Sequence, residues 1–244
     1  MTTAPTAATT GIPEKMLRLI DRFDGPDRRI LEVGSSAGLH TAGLRGRVTV
    51  LDLDEDKLRQ SGRFPNIEQL VVHDLSAGPL PVEGPFDVIL CLEVLEHLEW
   101  DDAVALLAQL EGLCRGCLIV STPHITNFTQ LIRYALTRQL DLTQAHTAVE
   151  RLLYRLRHGV WFDVAGETAR LRQQEKTQPN LGRHKCAVPA GFFRRRGYAL
   201  SGGVSLFLLG YPFMRHLARP AGALLEALPV LSGTTWASRT RSHG

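Results

Sequence analysis

Cysteine is scarce in this sequence, and the few cysteines form no framework. Only four occur in 244 residues, at Cys91, Cys114, Cys117 and Cys186. A chain of this length can bury a sizeable core without disulfides, and two of the four lie inside predicted core strands. Cys114 and Cys117 have the spacing of a zinc knuckle or a redox pair, but no second cysteine pair accompanies them. The cysteine content therefore excludes a disulfide scaffold and favours a reducing cytoplasm.

Strong charge and long apolar runs are also missing. The formal net charge is +3 at pH 7, which is too small to indicate a nucleic-acid partner, so we expect no DNA and disfavour RNA. Residues 204–214 are very apolar, yet a membrane span needs about 20 such residues, and Pro212 interrupts this run. We therefore expect no transmembrane segment. Peripheral contact of this apolar tail with a membrane stays open, as does burial in a monomer or in a homodimer.

The sequence does contain a buried strand that runs into a glycine turn. Ile30, Leu31 and Val33 are typical of an interior parallel strand, and Gly34 and Gly38 allow a tight turn close to a ligand. A helix after Gly38 would direct free N–H groups back to that turn. This arrangement is typical of a nucleotide-cofactor site, although glycines after a strand often only close a turn.

Strands and helices alternate along the chain. Two further strands follow a long insertion, at 198–208 and 234–239, and we expect the last one to be an antiparallel edge strand. Alternation of this kind predicts an α/β fold with a doubly wound, mostly parallel, seven-stranded sheet, whose ligands lie beyond the carboxyl ends of the strands. The earlier strands are predicted at 30–33, 47–51, 67–72, 86–91 and 117–121, with helices at 12–23 and 101–113.

Asp52 ends the second predicted strand, about 20 residues beyond the glycine turn. A carboxylate at this place is positioned to accept hydrogen bonds from ribose hydroxyls. The alternative role is a helix N-cap, for which Asp54, directly before Glu55, is better placed. We therefore predict that Asp52 binds a ribose.

A group of ligand-type residues follows the fourth predicted strand. If residues 93–98 form a helical turn, Glu93, Glu96 and His97 lie at positions i, i+3 and i+4 and share one face. Two carboxylates and an imidazole on one face can hold a divalent cation. In the alternative, Glu93 lines the cofactor pocket, while Glu96 and His97 are solvated or cap a helix.

Together these motifs resemble those of class I S-adenosylmethionine-dependent methyltransferases. The similarity lies in Glu32-x-Gly34-x-Ser36-x-Gly38, in Asp52, in the Asp74-Leu75 pair and in residues 86–89 and 93–98. It implies a Rossmann-like fold in which Glu32 and the glycine loop hold the methionine end, Asp52 the ribose, and Asp74 with the Leu75 backbone the adenine. Ser36 stands where the family usually has glycine. The cofactor-binding residues implied are Glu32, Gly34, Ser35, Ser36, Gly38, Asp52, Leu53, Asp74, Leu75 and Leu92.

A dehydrogenase would share this fold and bind NAD. The dinucleotide fingerprint Gly-x-Gly-x-x-Gly is absent, because from Gly34 the chain offers Gly34-x-Ser36-x-x-Leu39. No pyrophosphate loop is visible. We therefore predict S-adenosylmethionine, rather than NAD, as the cofactor.

The Glu-x-x-Glu-His pattern is also similar to metal-dependent O-methyltransferases of the ubiquinone pathway and to small-RNA 2′-O-methyltransferases. By this resemblance Glu93, Glu96, His97 and His184 hold a divalent cation, with Mg²⁺, Mn²⁺, Fe²⁺ and Zn²⁺ all open. His124, after the fifth predicted strand, competes as fourth ligand or acts as a general base. The predicted catalytic residues are His97, His124 and His184.

The resemblance divides the chain into four parts. Residues 1–11 are predicted to be disordered, 12–124 to form the cofactor-binding core, 125–180 a helical lid insertion, and 181–241 the C-terminal part of the core. The function expected is O-methylation of a hydroxyl on a small molecule such as a sugar, a phenol or a natural product. The alternatives are a cofactor-binding but inactive scaffold or regulatory partner, or a methyltransferase for a nitrogen, a carboxylate or RNA.

Overall fold

The structure is a computed structural model, and it describes residues 12–35, 37–123, 152, 155–156, 159–161, 186, 188–203 and 234–241. The strands of these residues are β1 (Arg29–Val33), β2 (Arg47–Asp52), β3 (Ile67–Val72), β4 (Phe86–Leu92), β5 (Cys114–Pro123), β6 (Ala199–Gly203) and β7 (Thr234–Thr240). The helices are α1 (Glu14–Asp21), α2 (Glu55–Ser61), α3 (Trp100–Leu113) and α4 (Ala190–Arg195), with a 3₁₀ helix at Leu95–His97.

The seven strands form one sheet in the order β3-β2-β1-β4-β5-β7-β6. Strands β1 to β5 pair in parallel, and β7 is antiparallel to both β5 and β6. The chain leaves β1 towards β2 on one side and returns to β4 on the other, so the order reverses next to β1. A doubly wound sheet binds ligands at this reversal point, beyond the carboxyl ends of its strands. The predicted fold class is confirmed.

The prediction of β7 as an edge strand is wrong. Strand β7 lies between β5 and β6, and its residues from Thr234 to Ser238 are buried. Its many hydroxyl side chains suggested a solvent-facing edge, yet Trp236 is fully buried. Strand β6 occupies the edge instead, because it returns beside β7 and pairs with it from Ala199 to Gly203.

The helix predicted after Gly38 is also absent from the described residues. Residues 37–43 form turns, held by hydrogen bonds from the Ala42 N–H to the Gly38 carbonyl and from the Leu44 N–H to the Thr41 carbonyl. The connection to β2 is short and carries Gly43 and Gly46, and glycine in a helix interior is destabilising by roughly 1 kcal/mol relative to alanine. The free N–H groups of this segment are therefore those of a turn.

The two faces of the sheet are covered by different helices. Leu31 and Val33 of β1 belong to the core cluster that contains the buried side of α3. Ile30, one residue earlier, belongs to the cluster that contains Met16 and Ile20 of α1. This alternation follows from the two-residue period of a strand and places Glu32 on the same face as Ile30. The α3 face is lined at helical spacing by Ala103, Leu106, Leu107 and Leu110.

A buried carboxylate holds the sheet at the end opposite the candidate site. Asp87, at the start of β4, is 2% exposed. It accepts hydrogen bonds from the Arg28 side chain at 2.9 Å, from the Arg29 N–H at 2.9 Å, and from two guanidinium nitrogens of Arg115 at 2.9 and 2.7 Å. Although burial raises the pKa of Asp87, these hydrogen bonds outweigh it and hold the pKa below its usual range.

A second carboxylate ties α3 to the C-terminal strands. Glu111 accepts two hydrogen bonds from Arg196, at 2.9 and 2.7 Å, and one from the Tyr198 hydroxyl at 3.0 Å. Arg239 of β7 lies 3.4 Å from the same carboxylate.

Within the described part of the chain, no helix has the length and apolar character needed to cross a membrane.

Candidate cofactor and active site

The glycine turn after β1 needs glycine at both predicted positions. Gly34 and Gly38 each have a φ of +79°, where residues with a Cβ are disfavoured. A Cβ on Gly34 would lie 2.3 Å from Cγ2 of Val94, and a Cβ on Gly38 would lie 2.3 Å from Cε2 of Phe64. The Gly34 N–H donates to the Leu51 carbonyl at 2.8 Å, which joins the turn to β2. The predicted tight turn therefore exists, and the segment after β4 packs against it.

Asp52 lies directly beside this turn. Its Oδ2 accepts the Ser35 N–H at 2.5 Å, and its Oδ1 accepts the Asp54 N–H at 2.8 Å. Asp54, not Asp52, caps α2, because its side chain accepts the N–H groups of Asp56 and Lys57. The N-cap role thus belongs to Asp54, and the Asp52 carboxylate faces the glycine loop.

Ser35 connects the loop to α2. Its hydroxyl lies 2.7 Å from the buried Ser61 hydroxyl and accepts the Ala37 N–H at 3.1 Å. Ala37 has a φ of +57°, which alanine rarely adopts. Because the Ser35 hydroxyl accepts the amide of that residue, it stabilises the turn locally. Ser36, the departure from the family pattern, lies outside the described residues.

Glu32 is fully buried, at 1% exposure, on the strand that leads into the loop. The Thr41 hydroxyl donates to its Oε2 at 2.7 Å, and Nδ1 of His40 lies 3.6 Å from its Oε1. Thr41 and His40 are themselves buried, at 0% and 6% exposure. The carboxylate that the resemblance assigns to the methionine end is therefore held by residues of the turn that follows Gly38.

The ends of β2 and β3 meet beside Asp52. The His73 N–H donates to the Asp52 carbonyl at 3.0 Å. Asp74 is exposed, and its Oδ1 accepts the N–H and the hydroxyl of Ser76 at 2.9 and 2.7 Å. Leu75 packs partly against the core, whereas Leu53 is 53% exposed. The assignment of Asp74 and Leu75 to the adenine stays a prediction.

The predicted helical face of Glu93, Glu96 and His97 does not form. Glu93 precedes the 3₁₀ helix and has a φ of +55°, so these residues do not follow one continuous helical turn. The Glu93 N–H donates to the Ser121 carbonyl at 3.1 Å, and its Oε1 accepts the Ser121 hydroxyl at 3.0 Å. The helical face does not form because these hydrogen bonds extend the pairing of β4 with β5 by one residue, to Glu93. The backbone turns at that residue. Leu92, also assigned to the cofactor, is the last residue of β4 and is 7% exposed.

Glu93 and Glu96 nevertheless influence each other. Burial raises the pKa of Glu93 to about 7, although the Ser121 hydroxyl opposes this. Burial also raises the pKa of Glu96 well above its usual range, and the Glu93 charge raises it further. Glu96 is 1% exposed, and among the described residues neither of its carboxylate oxygens has a hydrogen-bond partner. The pair therefore holds a proton readily at neutral pH.

The donor set fits a metal ion only in part. His97 Nε2 lies 4.0 Å from Glu96 Oε1, but among the described residues no three histidine, cysteine or carboxylate side chains gather closely enough to hold one ion. His124 and His184 lie outside the described residues. The unpartnered Glu96 oxygens agree with a cation site, whereas the separation of Glu93 from the helical turn does not.

The Cys114 and Cys117 pair shows no sign of reactive or metal-binding chemistry. Both thiols are free and buried. Burial raises the pKa of Cys114 and raises that of Cys117 to about 12, so the thiolate needed for either chemistry is disfavoured.

Several residues at the site carry no sequence signal. Only the fold shows the contacts of Thr41, His40 and Ser61. A hydroxyl or an imidazole at these positions of the sequence matches no motif. Ser121 ends the fifth predicted strand, yet only strand pairing shows that it meets Glu93. A buried acidic residue inside an apolar strand, such as Glu32, is the one signal that calls for a partner nearby.

The comparisons with known proteins agree with this geometry. Residues 31–116 match a protein family described as "Methyltransferase domain". No curated protein matches the sequence significantly.

Three solved methyltransferases illustrate the structural likeness. Magnesium protoporphyrin IX methyltransferase from Synechocystis PCC 6803, with bound SAH, is 15% identical at a TM-score of 0.47, over 93% of this chain and 80% of that one. An S-adenosylmethionine-dependent methyltransferase from Clostridium acetobutylicum ATCC 824 is 16% identical at a TM-score of 0.41, over 48% of this chain and 51% of that one. A TehB-like S-adenosylmethionine-dependent methyltransferase from Corynebacterium glutamicum ATCC 13032 is 25% identical at a TM-score of 0.38, over 43% of this chain and 60% of that one.

The chain thus matches about half the length of the clostridial protein. The assignment rests on the sequence match, which begins in β1 and ends in β5 and includes Glu32, the glycine loop, Asp52 and the Glu93 segment. Residues 31–116 therefore carry a methyltransferase domain, in agreement with the predicted S-adenosylmethionine-dependent family.

Proposed function

We propose that this protein transfers the methyl group of S-adenosylmethionine to a hydroxyl oxygen of a small molecule. The observation that carries the proposal is the position of Glu93 and Glu96. They follow β4 directly, and Val94 between them packs on Gly34 of the cofactor loop. A carboxylate pair with raised pKa values therefore lies beside the loop that we propose holds the methyl donor.

The cofactor part of the proposal is supported by features at the ends of β1, β2 and β3. The glycine loop follows β1, Asp52 offers a carboxylate at the end of β2, and Leu53 offers an apolar surface. A carboxylate oxygen that already accepts one N–H retains a second acceptor site, so Asp52 can also accept ribose hydroxyls. Asp74 and Leu75 follow at the end of β3 for the adenine.

The chemistry needs alignment and a proton acceptor. The acceptor oxygen attacks the methyl carbon in line with the sulfonium sulfur, the new O–C bond forms, and the electron pair of the broken S–C bond stays on sulfur. The hydroxyl proton passes to a base within hydrogen-bond reach. Glu93, with a pKa of about 7 and a position beside the loop, is suited to this role. His97 and His124 are the other candidates, and His184 remains a prediction from the resemblance.

A metal-assisted form of the same reaction is the second candidate, and the unpartnered oxygens of Glu96 favour it. Glu93, Glu96, His97 and His184 would be the ligands by resemblance. A divalent cation there would lower the pKa of a bound hydroxyl. Since the described residues complete no ligand set, the steps above are assigned to the side chains alone.

The proposal is tested in two stages with the whole chain. Calorimetry with S-adenosylhomocysteine, the demethylated product, checks cofactor binding, with NAD as the matched alternative. Methyl transfer from radiolabelled S-adenosylmethionine is then measured on separate panels of sugars and phenols, amines, carboxylic acids and RNA. We expect binding of S-adenosylhomocysteine and transfer to the hydroxyl panel.

The outcomes separate the alternatives. Transfer to amines, carboxylates or RNA alone keeps the methyltransferase activity and rejects the hydroxyl acceptor. Cofactor binding without transfer to any panel favours an inactive scaffold or a regulatory partner. Binding of NAD in place of S-adenosylhomocysteine rejects the proposal altogether.

A further inference from the structure

Glu32 is a buried carboxylate whose contacts come from the loop that it precedes. Carrying a charge into a protein interior is costly unless hydrogen bonds compensate for it. Glu32 is 1% exposed, and the Thr41 hydroxyl donates to its Oε2 at 2.7 Å. His40 approaches Oε1 at 3.6 Å. Two residues that follow Gly38 thus contact the Glu32 carboxylate inside the protein.

The segment from Gly38 to Leu44 needs such a tether, because it forms no helix. Its two internal backbone hydrogen bonds, at 2.8 and 3.0 Å, close separate turns. Outside support comes from the Asn66 side chain, which donates to the carbonyls of Thr41 and Leu44 at 2.7 and 3.1 Å. Thr41 is therefore held from two directions, by its carbonyl to Asn66 and by its hydroxyl to Glu32.

We infer that Thr41 and His40 are positioning residues for the cofactor loop, acting through Glu32. The turn between Gly38 and Leu44 and the turn between Gly34 and Gly38 are adjacent in the chain, so an anchor at Thr41 limits where Gly38 can lie. In this role the Glu32 carboxylate fixes the position of the turn after Gly38. The backbone of the glycine loop then binds the methionine end. The inference rests on the proposed binding of S-adenosylmethionine.

The test is calorimetric affinity for S-adenosylhomocysteine in a set of matched variants. Thr41→Val keeps the shape of the side chain and removes the hydroxyl that donates to the buried Glu32 carboxyl group, so Kd should rise about tenfold. Thr41→Ser restores the hydroxyl and should bring Kd back to within about threefold of wild type. Thr49→Val is the control. It makes the same chemical change at a threonine of β2 that is also buried, at 4% exposure.

Thermal unfolding of each unliganded variant separates positioning from packing. If Thr41→Val and Thr49→Val lose similar stability but only Thr41→Val loses affinity, and serine restores it, the inference is supported. If Thr41→Val binds within about twofold of wild type, the inference is overturned while the proposed cofactor stands. A wild-type protein that does not bind S-adenosylhomocysteine overturns both.

His40→Leu tests the same carboxylate if Thr41→Val does not fold. It removes the imidazole beside Oε1 and keeps an apolar side chain in the buried site. We expect Kd for S-adenosylhomocysteine to rise about threefold to fivefold, since the contact is longer than the Thr41 hydrogen bond. An unchanged Kd in a folded His40→Leu protein removes His40 from the proposed pair, and an unchanged Kd in both His40→Leu and Glu32→Gln overturns the inference.

Discussion

The Asp52 carboxylate at the end of β2 accepts the backbone N–H of Ser35 in the glycine loop at 2.5 Å. One side chain thus joins the end of β2 to the glycine loop, the two elements that we propose hold the cofactor. Asp52→Ala removes that contact together with the predicted ribose acceptor, so we expect binding of S-adenosylhomocysteine to weaken by about 2 kcal/mol. Isothermal calorimetry measures the change.

Asp54→Ala is the matched control for Asp52→Ala. It removes the α2 cap two residues later and should cost about 1 kcal/mol of folding stability. Its effect on cofactor affinity should be small, since its side chain points to the N–H groups of Asp56 and Lys57. Unchanged affinity in Asp52→Ala would exclude Asp52 from the site.

Gly34→Ala should destabilise the fold more than alanine at a comparable glycine. Gly34 and Gly197 have nearly the same φ, +79° and +81°, but a Cβ meets Val94 at 2.3 Å only in the first case and finds nothing within 4 Å in the second. Gly197→Ala should cost about 1 kcal/mol from backbone strain, and Gly34→Ala about 2 kcal/mol more from the steric clash. Urea unfolding gives both values.

A double variant separates the two contributions at Gly34. Val94→Ala removes the methyl group that a Cβ would strike, so Gly34→Ala should be less costly in the Val94→Ala background. If the cost of Gly34→Ala is the same in both backgrounds, the clash with Val94 is not its cause.

The Glu93 and Glu96 pair predicts a specific dependence of stability on pH. Because the folded-state pKa of Glu93 is raised from 4.5 to about 7, its contribution to stability is complete below pH 4.5 and is lost as the pH rises through 7. The pKa of Glu96 is raised as well and acts in the same direction. Glu96→Gln should therefore gain stability relative to wild type as the pH rises from 5 to about 8, as measured by Tm.

The same variants test the metal-assisted form. If the pair holds a cation, Mn²⁺ should raise the Tm of wild type and not that of Glu96→Gln. An equal rise in both proteins would place any metal elsewhere. A Tm difference between wild type and Glu96→Gln that does not change with pH would show that neither carboxyl group is perturbed.

Asp87→Asn should destabilise the fold without affecting the cofactor site. Asp87 is 2% exposed and holds two arginines, so its loss should cost about 2 to 3 kcal/mol, less than for a fully buried pair because Arg28 and Arg115 reach solvent. Its pKa is lowered below 3.8, so its stabilisation is present above that value and lost as the pH falls through the folded-state pKa. The cost of Asp87→Asn, from urea unfolding, should shrink in acid, with unchanged affinity for S-adenosylhomocysteine at neutral pH.

Local patterns predicted the parts of the fold that depend on neighbouring residues. The predicted strands lie close to the observed bounds of the five parallel strands. For β1, β2, β4 and β5 the reason is that burial on both faces requires continuous apolar side chains. The glycines at 34 and 38 indicated the turn, since their positive φ values exclude most other residues. Asp52 and Asp54 were separable because an N-cap must directly precede its helix.

Patterns failed where a distant strand decides the local conformation. Glu93, Glu96 and His97 have helical spacing, yet Ser121 of β5 binds the backbone and the side chain of Glu93 and holds it outside the helix. Strand β7 has the composition of an edge, but β6 pairs beyond it. In both cases hydrogen bonds between segments far apart in the chain outweigh the local preference.

The amino-acid sequence by itself determined the order of the strands along the chain, the glycine turn and the acidic strand ends, because these follow from periodicity and from the conformations that single residues allow. Only the tertiary structure decided that Thr41 and His40 meet Glu32, that Ser35 meets Asp52, and that the Glu96 carboxylate is buried without a hydrogen-bond partner among the described residues. Those contacts depend on which segments the sheet brings together, and burial then sets the pKa values of the side chains enclosed between them.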